Sequence, residues 1–159
     1  MKRVAIMVGL GTLMLALAAG VALAVFKEGN DNPNTLTGTS GDTQGQDTLF
    51  GLGAGDTLIG KSAADQLAGG TGPDRLEGNE GNDTLVGGPG EDRIFTGPGF
   101  DFVFAFDGNR DVVNCNGQTK YRIVFDENLD RLEQCPGTNT AAKAKVTVSS
   151  GKGTALSMK

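Results

Sequence analysis

The chain has 159 residues, of which 26 are glycine and none is histidine or tryptophan. That length allows one modest domain, and the missing histidine excludes His-based nucleophilic triads and His-ligated zinc. A net charge of −5 argues against partners that carry a phosphate backbone.

The first segment is Met1-Lys2-Arg3 followed by the apolar run "VAIMVGLGTLMLALAAGVALA". Two basic residues, a hydrophobic stretch and Ala22-Leu23-Ala24 have the form of a secretory signal peptide over residues 1–24. Retention of the run as an uncleaved anchor is the alternative reading. Beyond it, residues 25–135 carry 8 basic and 19 acidic side chains, a net −11, so this part of the chain attracts cations. Two cysteines, Cys115 and Cys135, in an exported chain imply one disulfide and are too few for an ordinary zinc site. Residues 25–41 read as a polar lead-in with one imperfect turn, Asn34-Thr35-Leu36-Thr37-Gly38.

Residues 42–113 are organised by a period of nine. The stretch "GNEGNDTLVGGPGEDRIF" contains two such units, each Gly-x-x-Gly-x-Asp-x-(Leu/Ile)-x. Asp47, Asp56, Asp65, Asp74, Asp83, Asp92 and Asp101 fall at strict nine-residue spacing. Two residues after each stands an aliphatic: Leu49, Leu58, Leu67, Leu76, Leu85, Ile94 and Val103, with Val112 continuing the register although Arg110 replaces the aspartate. A small residue stands two positions before each aspartate, from Gly45 and Ala54 to Gly90 and Gly99. A fixed period of this kind marks a solenoid.

Each unit is too short for a helix and a strand. It fits a tight glycine turn and a short strand whose central aliphatic points inward. Two units then make one coil, and the array gives about four coils of parallel strands. Asp47, Asp65, Asp83 and Asp101 line one edge, and Asp56, Asp74 and Asp92 the other. Carboxylates stacked at about one strand spacing, ~4.8 Å, repel unless a cation lies between them. One inward aliphatic in nine residues is a thin core, so a ligand that binds only the folded chain would complete the stability. Carboxylates and backbone carbonyls, with no histidine and no thiolate cluster, are donors for Ca²⁺ more than for Mg²⁺.

The units "GGTGPDRLE", "GNEGNDTLV", "GGPGEDRIF" and "TGPGFDFVF" resemble the hemolysin-type (RTX) calcium-binding nonapeptide, Gly-Gly-x-Gly-x-Asp-x-U-x with U aliphatic. The resemblance covers residues 42–104 closely and 105–113 loosely. It implies an all-β, right-handed parallel β-roll with Ca²⁺ held between turns of successive coils. Carried over by position, the metal-binding residues are the seven aspartates together with Gly69, Gly70, Gly72, Gly78, Gly81, Gly87, Gly88, Gly90, Gly97 and Gly99. Two units depart: "GKSAADQLA" has alanine at the fourth and fifth positions, and "GLGAGDTLI" lacks the fourth-position glycine. Left-handed backbone costs more there, which weakens the case for calcium at Asp47, Asp56 and Asp65.

The C-terminal segment, residues 114–135, also looks like the ending of exported nonapeptide-repeat proteins, Asp111-x-Val113-x-Cys115 and then Asp126 to Cys135. A Cys115–Cys135 bridge and the aromatic group Phe95, Phe100, Phe102, Phe104, Phe106, Tyr121 and Phe125 are expected to cap the exposed end of the solenoid. Residues 136–159 are small, polar and weakly basic, the composition of a disordered tail. The functional expectation is a secreted or cell-surface, non-enzymatic calcium-binding module whose partners are calcium ions and surface or matrix components. Two readings stand against it. The aspartates are common turn formers without metal, which would make a metal-independent solenoid, and paired carboxylates hydrolyse glycosides on some folds.

Overall fold

The computed structural model describes residues 24–40 and 45–136. The signal-peptide and tail segments lie outside the described residues except for Ala24 and Pro136. Among the described residues no helix is long and apolar enough to cross a membrane.

Twelve strands follow one another: β1 (Phe26–Asn30), β2 (Thr35–Thr37), β3 (Thr48–Gly53), β4 (Thr57–Ser62), β5 (Gln66–Thr71), β6 (Arg75–Glu80), β7 (Thr84–Val86), β8 (Arg93–Phe95), β9 (Asp101–Ala105), β10 (Val112–Asn114), β11 (Tyr121–Phe125) and β12 (Arg131–Glu133). Odd strands build one six-stranded sheet, β1-β3-β5-β7-β9-β11, and even strands build the other, β2-β4-β6-β8-β10-β12. Every pairing is parallel. Each coil therefore gives one strand to each sheet, and the chain winds through about six turns.

The repeat array, residues 42–113, holds β3 to β10, the four coils expected of it, and the solenoid gains one more coil at each end for a physical reason. Strand pairing needs backbone groups in register, not the repeat signature. Phe26–Asn30 pairs with β3 and Thr35–Thr37 with β4, although neither carries the Asp-x-aliphatic unit. At the other end β11 and β12 pair with β9 and β10, so the disulfide-linked segment is itself the sixth coil.

The inward aliphatics stack in two facing columns. Leu49, Leu67, Leu85, Val103 and Ile123 are in register on one sheet, and Leu58, Leu76, Ile94 and Val113 on the other. All nine are at most 1% exposed. The last column corrects one assignment: Val113, not Val112, carries the buried register, and Asp111, not Arg110, stands at the aspartate position. The turn after β9 holds one residue more than the others, which shifts the phase by one.

Strand length varies with the third position of the following unit. Gly53, Ser62, Thr71 and Glu80 extend their strands to six residues, and Gly53 pairs with Thr71 and Ser62 with Glu80. Pro89 and Pro98 occupy this position one coil later. Proline donates no ladder hydrogen bond, and β7 and β8 stop at three residues.

Of the seven aromatic residues expected to cap the solenoid, only Tyr121 and Phe125 sit at its end, both on β11. Strand alternation sends Phe102 and Phe104 outward on either side of buried Val103, and Phe100, Phe104 and Phe106 are 41%, 44% and 38% exposed. Phe95 lies under the Arg75 guanidinium, 4.2 Å from the ring centre. Phe125 alone of the six phenylalanines packs against the core. The end is closed by Tyr121, buried in register with Asp101, and by the Cys115–Cys135 disulfide, which joins the ends of β10 and β12 with Cα atoms 4.9 Å apart.

Candidate metal centre

The turns that precede the strands put every repeat aspartate inside the molecule. Asp47, Asp56, Asp65, Asp74, Asp83, Asp92 and Asp101 are between 0% and 3% exposed, and Asp111 is 0% exposed. A buried carboxylate needs partners for its lone pairs. One oxygen of each finds a partner in the preceding coil. Asp65 Oδ1 accepts the backbone N–H of Asp47, Asp83 that of Asp65, and Asp101 that of Asp83, at 2.8, 2.9 and 3.0 Å. On the other flank Asp74, Asp92, Asp111 and Asp130 accept from Asp56, Asp74, Asp92 and Asp111 at 2.7–2.9 Å. The expected division of the aspartates between two edges therefore appears as two hydrogen-bonded ladders. Asp111 and Asp130 extend the second ladder beyond Asp92. Asp111 was legible as Asp-x-Val once a one-residue insertion is allowed, and Asp130 as Asp130-Arg131-Leu132-Glu133, the same four residues as Asp74-Arg75-Leu76-Glu77.

The second oxygen is different. Oδ2 of Asp56, Asp65, Asp74, Asp83, Asp92, Asp101 and Asp111 is buried without a hydrogen-bond partner. Asp47 departs from this pattern, because its Oδ2 accepts from the Thr39 backbone N–H and hydroxyl.

The glycines explain how backbone can approach these oxygens so closely. First-position Gly51, Gly60, Gly69 and Gly78 each lie against an aspartate Oδ2 and a carbonyl oxygen of the next coil, too close for a side chain. A Cβ at Gly60 would stand 2.6 Å from Asp65 Oδ2 and 2.8 Å from the Gly78 carbonyl oxygen. At Gly69 it would meet Asp74 Oδ2 and the Gly87 carbonyl, and at Gly78 Asp83 Oδ2 and the Thr96 carbonyl. Gly87 borders Asp92 Oδ2 in the same way. Only hydrogen fits there.

Second and fourth positions adopt left-handed backbone. The second-position residues Gly70, Gly88 and Gly97 have φ of 108°, 95° and 90°, and the fourth-position residues Gly72 and Gly81 have φ of 118° and 141°. Gly90 and Gly99 follow at 158° and 153°. The departures noted in the sequence sit in the same region: Ala54 has φ 71° and Ala63 φ 92°.

Burial raises the affinity of these carboxylates for protons when no metal is bound. Desolvation pushes Asp83, Asp92 and Asp111 up to about 7 and Asp101 up to about 6. Neighbouring carboxylates add to the shift at Asp83, Asp92 and Asp111, and the ladder N–H groups oppose it. Asp65 and Asp74 are raised by the same burial.

Orphaned anionic oxygens beside backbone carbonyls, at glycines where no side chain fits, are a donor set for a hard divalent cation. The fold and the site define a cation-binding parallel β-solenoid. Residues 43–109 match the family model of the RTX calcium-binding nonapeptide repeat in four overlapping copies, 43–76, 59–94, 68–103 and 86–109. The repeat array matches that family, whose units bind Ca²⁺. No curated protein and no solved structure matches the chain.

Proposed function

We propose that the chain is an exported calcium-binding module in which Ca²⁺ is held by the Oδ2 atoms of the repeat aspartates and by turn carbonyls, and that it folds fully only where calcium is plentiful. The observation that carries this reading is the set of seven buried, unpartnered Oδ2 atoms in two ladders. An unpaired buried carboxylate oxygen is costly, and seven in phase call for one remedy repeated along the solenoid. The residues that would hold the ions are Asp56, Asp65, Asp74, Asp83, Asp92 and Asp101, with carbonyls such as those of Gly69, Gly78, Gly87 and Thr96. Asp47, already served by Thr39, is the weakest candidate. Export is supported by the signal-like first 24 residues and by the disulfide, which suits an oxidising compartment.

The module acts as structure or as a contact surface, not as an enzyme: its carboxylates are distributed in regular columns, whereas an active site is a single irregular constellation. The outer face of the odd-strand sheet supports a contact role. Phe50, Val86 and Phe104 lie in one register column there and are 37%, 36% and 44% exposed.

Calcium titration of the mature chain, followed by circular dichroism and calorimetry, tests the proposal. The expected result is a strand signal that is weak in chelator and grows with bound calcium. A strand signal already complete in chelator, with no heat of binding, would establish a metal-independent solenoid.

A further inference from the structure

The turn after β9 breaks the repeat, and its chemistry differs from that of the regular turns. Between Ala105 and Asp111 the chain reads Phe106-Asp107-Gly108-Asn109-Arg110. The extra residue brings a second carboxylate into the turn. One ligand oxygen from each of Asp92, Asp107 and Asp111 lies within 4.8 Å of the others, the only such three-carboxylate group among the described residues. Asp92 and Asp111 are 1% and 0% exposed.

The hydrogen bonds leave specific atoms for a ligand. Asp92 Oδ1 is taken by the Asp74 N–H and Asp111 Oδ1 by the Asp92 N–H. Their Oδ2 atoms are buried and without partners. Asp107 is held in place by Asn109 N–H donating to Oδ1 at 2.7 Å, and by Gly90 N–H and Asn109 Nδ2 donating to Oδ2 at 3.2 and 3.1 Å. These are neutral donors, and they orient the carboxylate without cancelling its charge. The two ion pairs among the described residues, Arg75–Glu77 and Arg131–Glu133, lie elsewhere. Asp126 and Asp130 add further negative charge around Asp111.

We propose that Asp107, which the nonapeptide pattern does not use, joins Asp92 and Asp111 in a three-carboxylate divalent-cation site, which binds Ca²⁺ more tightly than the other repeat sites and fills first. Ligand charge count sets calcium affinity. A regular turn supplies one carboxylate per coil on each flank, whereas this turn supplies two, Asp107 and Asp111, to a space that Asp92 shares from the coil before. Neutralising that cluster joins the fourth coil to the fifth, because Asp92 belongs to one and Asp111 to the next. The inference deepens the calcium reading above but rests on a side chain, Asp107, that the repeat does not use.

Calorimetric calcium titration of the full mature chain and of Asp107→Asn tests it. The substitution keeps a side-chain acceptor for the turn and removes one charge. The expected result is a first site in the wild type at least about tenfold tighter than the rest, lost in the variant, with circular dichroism in saturating calcium unchanged. Equal first-site affinity in the two chains overturns this proposal and leaves the repeat sites standing. Absence of any calcium binding by the wild type overturns both. If the variant does not fold, crystals of the wild type grown with terbium decide: an anomalous peak between the three carboxylates supports the site, and no peak there overturns it.

Discussion

Residues 51–68 and residues 69–104 trace the same coils with different side chains. In the later stretch glycine fills the second and fourth positions of each unit, with Asn79 as the one exception. In the earlier stretch those positions are Leu52, Ala54, Lys61 and Ala63, yet all four have positive φ, at 80°, 71°, 87° and 92°. A left-handed backbone costs an ordinary L-residue roughly 1–2 kcal/mol. The backbone is therefore imposed by what the coils have in common, the aspartate ladders and the parallel pairing. Leu52 pairs with Gly70 and Lys61 with Asn79, so both second-position residues are held by a neighbour in register. Glycine lowers the cost of the turn, and the ladder dictates its shape.

Burial acts on the acids of the later coils, and the largest predicted effect follows. Asp83, Asp92 and Asp111 reach about 7 and Asp101 about 6, against about 3.9 for an aspartate in an unfolded chain. Between roughly pH 4 and pH 7 the metal-free fold binds more protons than the unfolded chain, so its stability falls as pH rises through that window. Calcium substitutes for those protons above it. In chelator, strand content is expected to be low near pH 8 and to increase on acidification to about pH 5. In excess calcium it should change little over the same range. A metal-free strand signal that increases with pH would contradict the direction of all four shifts.

A glycine of the later stretch gives the next largest effect. Gly88 has φ 95°, and a Cβ there would overlap the Gly70 carbonyl oxygen of the preceding coil. Gly88→Ala combines the left-handed cost with a backbone collision, together about 2–5 kcal/mol. Urea denaturation in saturating calcium measures it. A loss below about 1 kcal/mol would mean that the coils separate to accommodate a methyl group, and the close approach would lose its meaning.

The ends provide a third contrast, since the sixth coil is tied by Cys115–Cys135 and the first is not. The two cysteines are 20 residues apart, and a loop of that size contributes about 3 kcal/mol. The double substitution Cys115→Ser and Cys135→Ser is expected to release β11 and β12 first. Hydrogen exchange should show protection lost from Tyr121 to Glu133 while β4 to β8 keep theirs. Uniform loss along the solenoid would instead indicate that the coils unfold as a single unit.

The centre of the molecule was legible in the sequence and its ends only in part, through the imperfect turn that holds β2 and the Cys115–Cys135 pair. The aspartate and aliphatic registers from Asp47 to Val103 survive into the structure because a nine-residue period leaves the backbone no freedom to drift. β1 is Phe-Lys-Glu-Gly-Asn and offers nothing periodic, since an outer strand needs only one partner. Tyr121 stands where the first ladder would place its next aspartate, so a buried ring replaces the carboxylate and hides the coil. The phase slip at Asp107–Asp111 concealed both Asp111 and the three-carboxylate group. Side-chain direction misled at the aromatics: alternate residues flank a buried valine and so face solvent, whatever their hydrophobicity.

The smallest effect tests the opening comparison most directly. If the ladder imposes the turn, then giving glycine to the early units should relieve strain. At Ala54 the relief of about 1–2 kcal/mol is offset by the added freedom of glycine in the unfolded chain, about 0.5–1 kcal/mol. Ala54→Gly is therefore expected to stabilise by about 0.5–1 kcal/mol. Ala63 has the larger φ but is only 7% exposed, and losing its buried methyl group costs about 0.8 kcal/mol. Ala63→Gly is expected to be nearly neutral. Parallel urea melts in saturating calcium separate the two, and the order matters more than the size. If Ala54→Gly destabilises the chain as much as an ordinary alanine-to-glycine change in a strand, the early turns are unstrained.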